Sequence, residues 1–167
     1  HLVVARNLEA LYDNETAIRA FEIVQQQFPQ ARLTLAGSGP QEAYLRELVR
    51  TRGLTDAVRF AGRLERDAMA ALYRSAELML NPSLADNTPN SVLEAWASGV
   101  PVVSTNVGGI PHLAQDGVTA SLVPPSDPAA MARACVDLLT DEALWRQRAR
   151  AGLQEAQRYT WSRVQPV

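Results

Sequence analysis

The sequence of 167 residues contains no lysine, because all sixteen of its basic residues are arginine. The lysine amine is therefore removed from every mechanism considered below. Cysteine is almost as scarce. A single thiol, Cys135, excludes an internal disulfide and offers no metal cluster; lying between Ala134 and Val136 in a helical stretch, it reads as core packing. No apolar run reaches the roughly 18–20 residues that a membrane span requires. The first residues read as a strand and not as a signal peptide, which makes a cytosolic location the expectation. Neither sign of charge is in excess. A formal net charge of -2 gives no electrostatic reason to expect nucleic acid as a partner. Internal repeats, low-complexity tracts and linkers are also missing.

What is present is the balance of a folded soluble protein, 47% apolar and 20% charged. The length suits one domain with a substantial core and is short for two. Along the chain, short apolar runs alternate with amphipathic stretches. Leu2 to Ala5 reads as a strand, followed by a helical pattern through Ala17, Ile18, Phe21, Ile23 and Val24. Leu33 to Ala36 is a second strand. Gly37-Ser38-Gly39-Pro40 then turns the chain into a helix, with Pro40 at its first position and Leu45, Leu48 and Val49 along it. Val58 to Ala61, Leu78 to Leu80, Val102 to Ser104 and Leu122 to Val123 continue the series of strands. Helices are expected over Ala68 to Arg74, Pro89 to Ser98, Pro128 to Leu139 and about Glu142 to Tyr159. About six strands separated by such helices predict an α/β fold, a doubly wound parallel sheet with helices on both faces. The chain opens inside a strand and stops at Pro166-Val167, so residues 1–167 are expected to be a single excised domain.

Ligands of doubly wound sheets bind at the carboxyl ends of the strands, and the segment from Asn81 to Gly109 is the richest there. It runs from a strand end through a polar loop into a helix with Thr88 as expected N-cap and Pro89, Asn90 and Ser91 as first turn. Free amides and the positive end of the helix dipole suit an anion such as a diphosphate. At 100° per residue, Asn87, Asn90, Glu94 and Ser98 share a face. No basic residue lies between Arg74 and Arg133, so neither Asp86 nor Glu94 has a cationic neighbour close in sequence. A carboxylate on that face can accept hydrogen bonds from paired hydroxyls, as a ribose presents. A solvated helix face with an ordinary loop aspartate fits the same spacing. Gly37-Ser38-Gly39 and Gly108-Gly109 are further turns where amides could approach phosphate, or where glycine is needed for steric reasons alone. His112 reads as a surface or capping histidine in the absence of a nucleophile. Arg6, at the end of the first strand, and Arg63 and Arg66, after the third, are candidates for bidentate phosphate contact or plain surface residues.

Several blocks together resemble the retaining glycosyltransferases of the GT-B fold, the group that includes sucrose synthase-like and mannosyltransferase-like enzymes. They are Val4-Ala5-Arg6-Asn7-Leu8, Leu33 to Pro40, Val58 to Gly62, Asn81-Pro82-Ser83, Leu93-Glu94-Ala95, Gly99 to Val103 and Gly108-Gly109. The resemblance covers essentially the whole chain and implies a donor-binding, C-terminal half whose amino-terminal acceptor half is missing. It implies a UDP- or GDP-sugar as substrate, no cofactor and no metal. Peripheral membrane association would come through the missing half. By resemblance, Glu94 accepts the ribose hydroxyls. Asp86 stands where the family usually has a glutamate near the donor sugar. Asn87, Pro89, Asn90, Ser91 and Val92 match the segment that approaches diphosphate and sugar. Gly37, Ser38 and Gly39 match the glycine-rich turn, Arg63 and Leu64 match the loop beside the base, and Arg6 matches the phosphate-binding arginine. Its companion lysine is replaced by Tyr12, and Asp13 stands at the usual glycine. Two other readings of the same fold are a nucleotide-sugar epimerase and a non-catalytic nucleotide-binding regulatory module. Trp145, Tyr159 and Trp161 are expected to be exposed where the lost half would cover them.

Overall fold

The computed structural model describes residues 1–159. Six strands form one parallel sheet: β1 (Leu2–Ala5), β2 (Leu33–Ala36), β3 (Val58–Gly62), β4 (Leu78–Asn81), β5 (Val102–Thr105) and β6 (Ser121–Val123), in the order β3-β2-β1-β4-β5-β6. The expected doubly wound architecture is therefore present. The order reverses at β1, whose Leu2 pairs with Leu33 on one side and Leu78 on the other. Crevices in such sheets open at this switch point, beyond the strands' carboxyl ends.

Because side chains alternate along a strand, the central strands feed two cores. Leu2, Val4, Leu33, Leu35, Leu78 and Leu80 point to one face, where they meet α1 (Asn14–Gln27), α2 (Glu42–Thr51) and α6 (Pro128–Thr140) through Ile18, Phe21, Leu45, Met131 and Cys135. Val3, Met79 and Val102 point to the other. There they meet α3 (Arg66–Arg74), α4 (Asn90–Ala97) and α5 (Ile110–Leu113) through Tyr73, Val92, Trp96 and Ile110. Strands buried on both faces read as continuous apolar runs, which is why the sequence pattern located them.

The helices have local causes. Asp13, Asp127 and Asp141 each accept a hydrogen bond from an amide in the first turn of α1, α6 and α7 (Glu142–Ala156) respectively. Trp96 of α4 is fully buried and lies against Gly152 of α7, where a Cβ would stand 2.4 Å from the indole Cδ1. Only glycine lets the two helices approach so closely, and the contact anchors α4 from behind.

Several expected boundaries move. α2 begins at Glu42, leaving Pro40 in the preceding turn. α4 begins at Asn90 with Pro89, not Thr88, at the N-cap, and Pro89 is extended at ψ 104°. Because Pro89 is itself extended, the first helical residue is Asn90 and the non-helical capping position passes from Thr88 to Pro89. α7 passes at its end into a 3₁₀ turn, Gln157–Tyr159. Two short elements, the 3₁₀ turn Ala10–Tyr12 and α5, had no periodic signature. Trp145 corrects the expectation of exposed aromatics: it packs on the first core and donates from Nε1 to the Glu77 carbonyl at 2.8 Å. Tyr159 is 41% exposed, as expected; Trp161 lies outside the described residues. Among the described residues, no helix is long and apolar enough to cross a membrane.

Candidate functional site

The carboxyl ends of β1 and β4 carry the polar residues from which the site is built. Arg6 leaves β1 and donates from Nε to Oδ1 of Asn81, at the end of β4, at 2.9 Å. Asn81 is fully buried and donates in turn to Ser104 Oγ of β5 at 3.0 Å. Ser83 Oγ lies 2.9 Å from Asn81 Oδ1 and 3.4 Å from Asp86 Oδ2. The Arg6 guanidinium closes this network in an ion pair with Asp86, both side chains mostly shielded from water. Its carbon also stands 4.8 Å from the centre of the Tyr12 ring. Burial pulls the Arg6 pKa down, and the nearby Tyr12 and Tyr73 phenols act the other way. Asp86 thus has a cationic partner after all, delivered by the fold from the far end of the sequence.

Glycines hold the surrounding loops at backbone contact. A Cβ on Gly109 would stand 2.0 Å from the Asn87 carbonyl oxygen, and the Gly109 amide donates to the Asp86 carbonyl at 2.8 Å. Cβ atoms on Gly37 and Gly39 would strike the carbonyls of Arg6 and Leu8 at 2.1 and 2.4 Å. These glycines answer to close packing. The Gly37 amide is moreover committed to the Gly62 carbonyl at 2.8 Å, so it is not the bare phosphate donor that its turn suggests.

A cavity of about 250 Å³ opens between β1, the loop after β3 and the start of α4. Of the residues expected from sequence it gathers Arg6, Gly37, Arg63, Leu64, Asn90, Ser91 and Glu94, and it adds Asn7, Tyr12 and Met69. A second hollow of about 480 Å³, between α3 and α4, shares Leu64, Met69 and Glu94 and is completed by Arg66, Tyr73 and Ser98 among others. Glu94 stands at the junction. Its side chain is exposed toward both hollows, and Oε2 accepts from the Tyr73 hydroxyl at 3.2 Å.

The α4 start has no side-chain cap. The Val92 and Leu93 amides turn back to the Pro89 carbonyl at 3.0 and 3.4 Å, and among the described residues those of Asn90 and Ser91 have no acceptor. The buried Ser91 hydroxyl is unpartnered as well. Three donors and the positive end of a helix therefore converge on the cavity. Among the described residues there is no group of three or more histidine, cysteine or carboxylate side chains able to hold a metal ion.

Not every expected residue arrives there. Val92 is 1% exposed and belongs to the second core, so its side chain anchors the helix and cannot meet a ligand in the cavity. Asn87 precedes the helix and lies off the cavity wall, which shortens the expected polar stripe to Asn90, Glu94 and Ser98. Pro89, Ser38 and Gly39 do not line it either, and Asp86 reaches it through Arg6. His112 is exposed on α5, away from the wall. Sequence reasoning missed Tyr73 and the structural part played by Asn81 and Ser83. A polar residue ending an otherwise apolar strand was the available signal for Asn81; Tyr73 looked like any core aromatic.

The chain is 31% identical over 166 residues to a D-inositol 3-phosphate glycosyltransferase of Streptomyces avermitilis, covering 94% of this chain and 36% of that protein. It spans only between 27% and 42% of the length of the curated relatives it matches most strongly. Its fold superposes with a TM-score of 0.86 on the C-terminal domain of a group 1 glycosyl transferase from Francisella tularensis, at 21% identity over 98% of this chain and 86% of that one. It also superposes, with a TM-score of 0.85 and 23% identity, on the Anabaena protein HepE solved with UDP and glucose, covering 94% of this chain and 43% of that one. The family model of the group 1 glycosyl transferases matches residues 2–141. With that match spanning the sheet, the switch point and the start of α4, the chain belongs to the group 1 glycosyl transferases.

Proposed function

We propose that this chain supplies the nucleotide-sugar donor site of a retaining glycosyltransferase, as the C-terminal half of a two-domain enzyme whose acceptor half lies outside residues 1–167. The observation that carries the reading is the convergence, on one cavity, of the uncapped α4 start with its unpartnered Ser91 hydroxyl, the Arg6 guanidinium and the Glu94 carboxylate. A nucleoside diphosphate is the ligand class whose chemistry matches this set: an anion for the first two and paired hydroxyls for the third. HepE, of which this chain matches 43%, was solved with UDP and glucose, which supports a nucleotide-sugar donor here.

In the reaction the bond between the anomeric carbon and the diphosphate oxygen breaks, and negative charge grows on the leaving diphosphate. Arg6, the Asn90 and Ser91 amides and the Ser91 hydroxyl would stabilise that charge where it develops, without a metal. Asp86 would hold Arg6 in place and help orient the donor sugar. Glu94 would grip the ribose, and Arg63 and Leu64 would border the base. The acceptor hydroxyl would come from the other half, on the face that keeps the sugar's configuration.

Calorimetric titration of the chain with UDP and GDP tests the reading. One of them should bind, and Glu94→Ala should weaken it by about 1–3 kcal/mol, the loss of an acceptor to paired hydroxyls. Binding of neither, or unchanged binding by Glu94→Ala, contradicts it. A second reading, a non-catalytic nucleotide-binding module, draws on Tyr12, which lines the cavity where the family has a lysine. Transfer by the full-length protein decides between the two.

A further inference from the structure

Tyr73 is buried to 1% in the seam between α3 and α4, yet its hydroxyl faces two acceptors on α4. They are the Ser91 carbonyl and Glu94 Oε2, each at 3.2 Å. A phenol has one proton to give, and the charged carboxylate is the stronger acceptor. The Ser91 carbonyl belongs to the first turn, whose amides and hydroxyl face the cavity. The other oxygen belongs to the side chain at the junction of the two hollows. Among the described residues Glu94 has no salt bridge, and as a glutamate it loses as much rotamer freedom on being held as almost any side chain. Burial and the charge of Glu94 both push the phenol's pKa far up, so Tyr73 stays a donor at any working pH.

We propose that Tyr73 is a positioning residue: its hydroxyl holds the Glu94 carboxylate at the junction of the two hollows. The inference rests on the donor-site reading and adds to it a residue that would touch no ligand atom.

The experiment is a double-mutant cycle with two ligands. Wild type, Tyr73→Phe, Glu94→Ala and the double variant are titrated with whichever of UDP and GDP binds, and with its 2′,3′-dideoxy analogue. Tyr73→Phe keeps the ring that fills the seam, and a melting curve establishes that the variant is folded. The result expected is a loss of about 5–10-fold for the ribonucleotide, the worth of one hydrogen bond acting through Glu94. The dideoxy analogue, which offers Glu94 nothing, should bind Tyr73→Phe as it binds wild type. In the Glu94→Ala background the tyrosine change should add less than about twofold, since the group it positions is gone. Equal weakening of both ligands assigns Tyr73 to general structure and overturns the proposal, as does unchanged binding of the ribonucleotide. If the wild type binds neither UDP nor GDP, the donor-site reading itself falls and the positioning role with it.

Discussion

Arg6 is gripped on three sides: Asn81 at 2.9 Å, the Asp86 carboxylate, and the Tyr12 ring 4.8 Å from its guanidinium carbon. Removing it leaves a largely shielded carboxylate without a counter-charge, a type of loss that costs about 3–5 kcal/mol when burial is complete. Arg6→Ala is therefore expected to lower stability by roughly 2–4 kcal/mol in urea denaturation and to weaken nucleotide binding at least tenfold. A variant as stable as wild type would show that the ion pair with Asp86 contributes little. Cys135 makes a different prediction. Burial without a partner pushes its thiol up to about 12, from an ordinary 9.0, so the thiolate is suppressed in the native chain. The sign follows from linkage: the folded pKa lies above the unfolded one, so the contribution is intact below about pH 9 and is lost as pH rises from there toward 12. A disulfide reagent at pH 8 should label Cys135 only when the chain unfolds, and prompt labelling of native protein would contradict this. Residues of this kind were partly legible. Glu94 and Asn90 could be placed from helical spacing and Ser91 from its place in the expected first turn, whereas the partners Arg6–Asp86 and Tyr73–Glu94 are joined only by the fold, and no local pattern announces them.

The decisive element is α4, whose first turn faces the cavity while its other side is sealed by Trp96 against Gly152. Overfilling that contact should be felt at the site. Gly152→Val is expected to destabilise by about 1–3 kcal/mol. Trp96→Ala should cost about 3–5 kcal/mol. Thermal melts of the two variants check the ranking, and a Gly152→Val melt equal to wild type would mean that α7 can slide away freely. The elements themselves were readable because the central strands β1 and β4 are almost wholly apolar, the others are apolar for half or more of their length, and the long helices carry a clear period. Boundaries were less so. The preference of threonine for N-caps pointed to Thr88, but Pro89 stays extended and takes the capping position itself, which moves the start to Asn90. The 3₁₀ turn Ala10–Tyr12 and α5 are too short for any period to register.

At the scale of the molecule, two cores on opposite faces stiffen one sheet, and its polar residues concentrate where strand order reverses at β1. That arrangement followed from the alternation of strands and helices, and the family from the order of motif blocks. What could not be read was the cavity's shape, because Asn87 lies in the loop before α4, where no helical period fixes which way a side chain faces. On the proposed function, residues 1–167 hold a donor but lack the acceptor and the opposing wall of the cleft. The isolated chain is expected to bind nucleotide and to release no transferred or hydrolysed sugar above background, since catalysis needs both substrates held in register. Turnover by the purified chain would overturn that assignment. The most direct measurement is a crystal structure of the chain grown with the nucleoside diphosphate it binds. The donor-site geometry places phosphate oxygens within hydrogen-bond distance of the Asn90 and Ser91 amides and the Arg6 guanidinium in that complex, with the ribose hydroxyls on Glu94. A nucleotide bound away from the start of α4, or one whose ribose leaves Glu94 in open solvent, would contradict it.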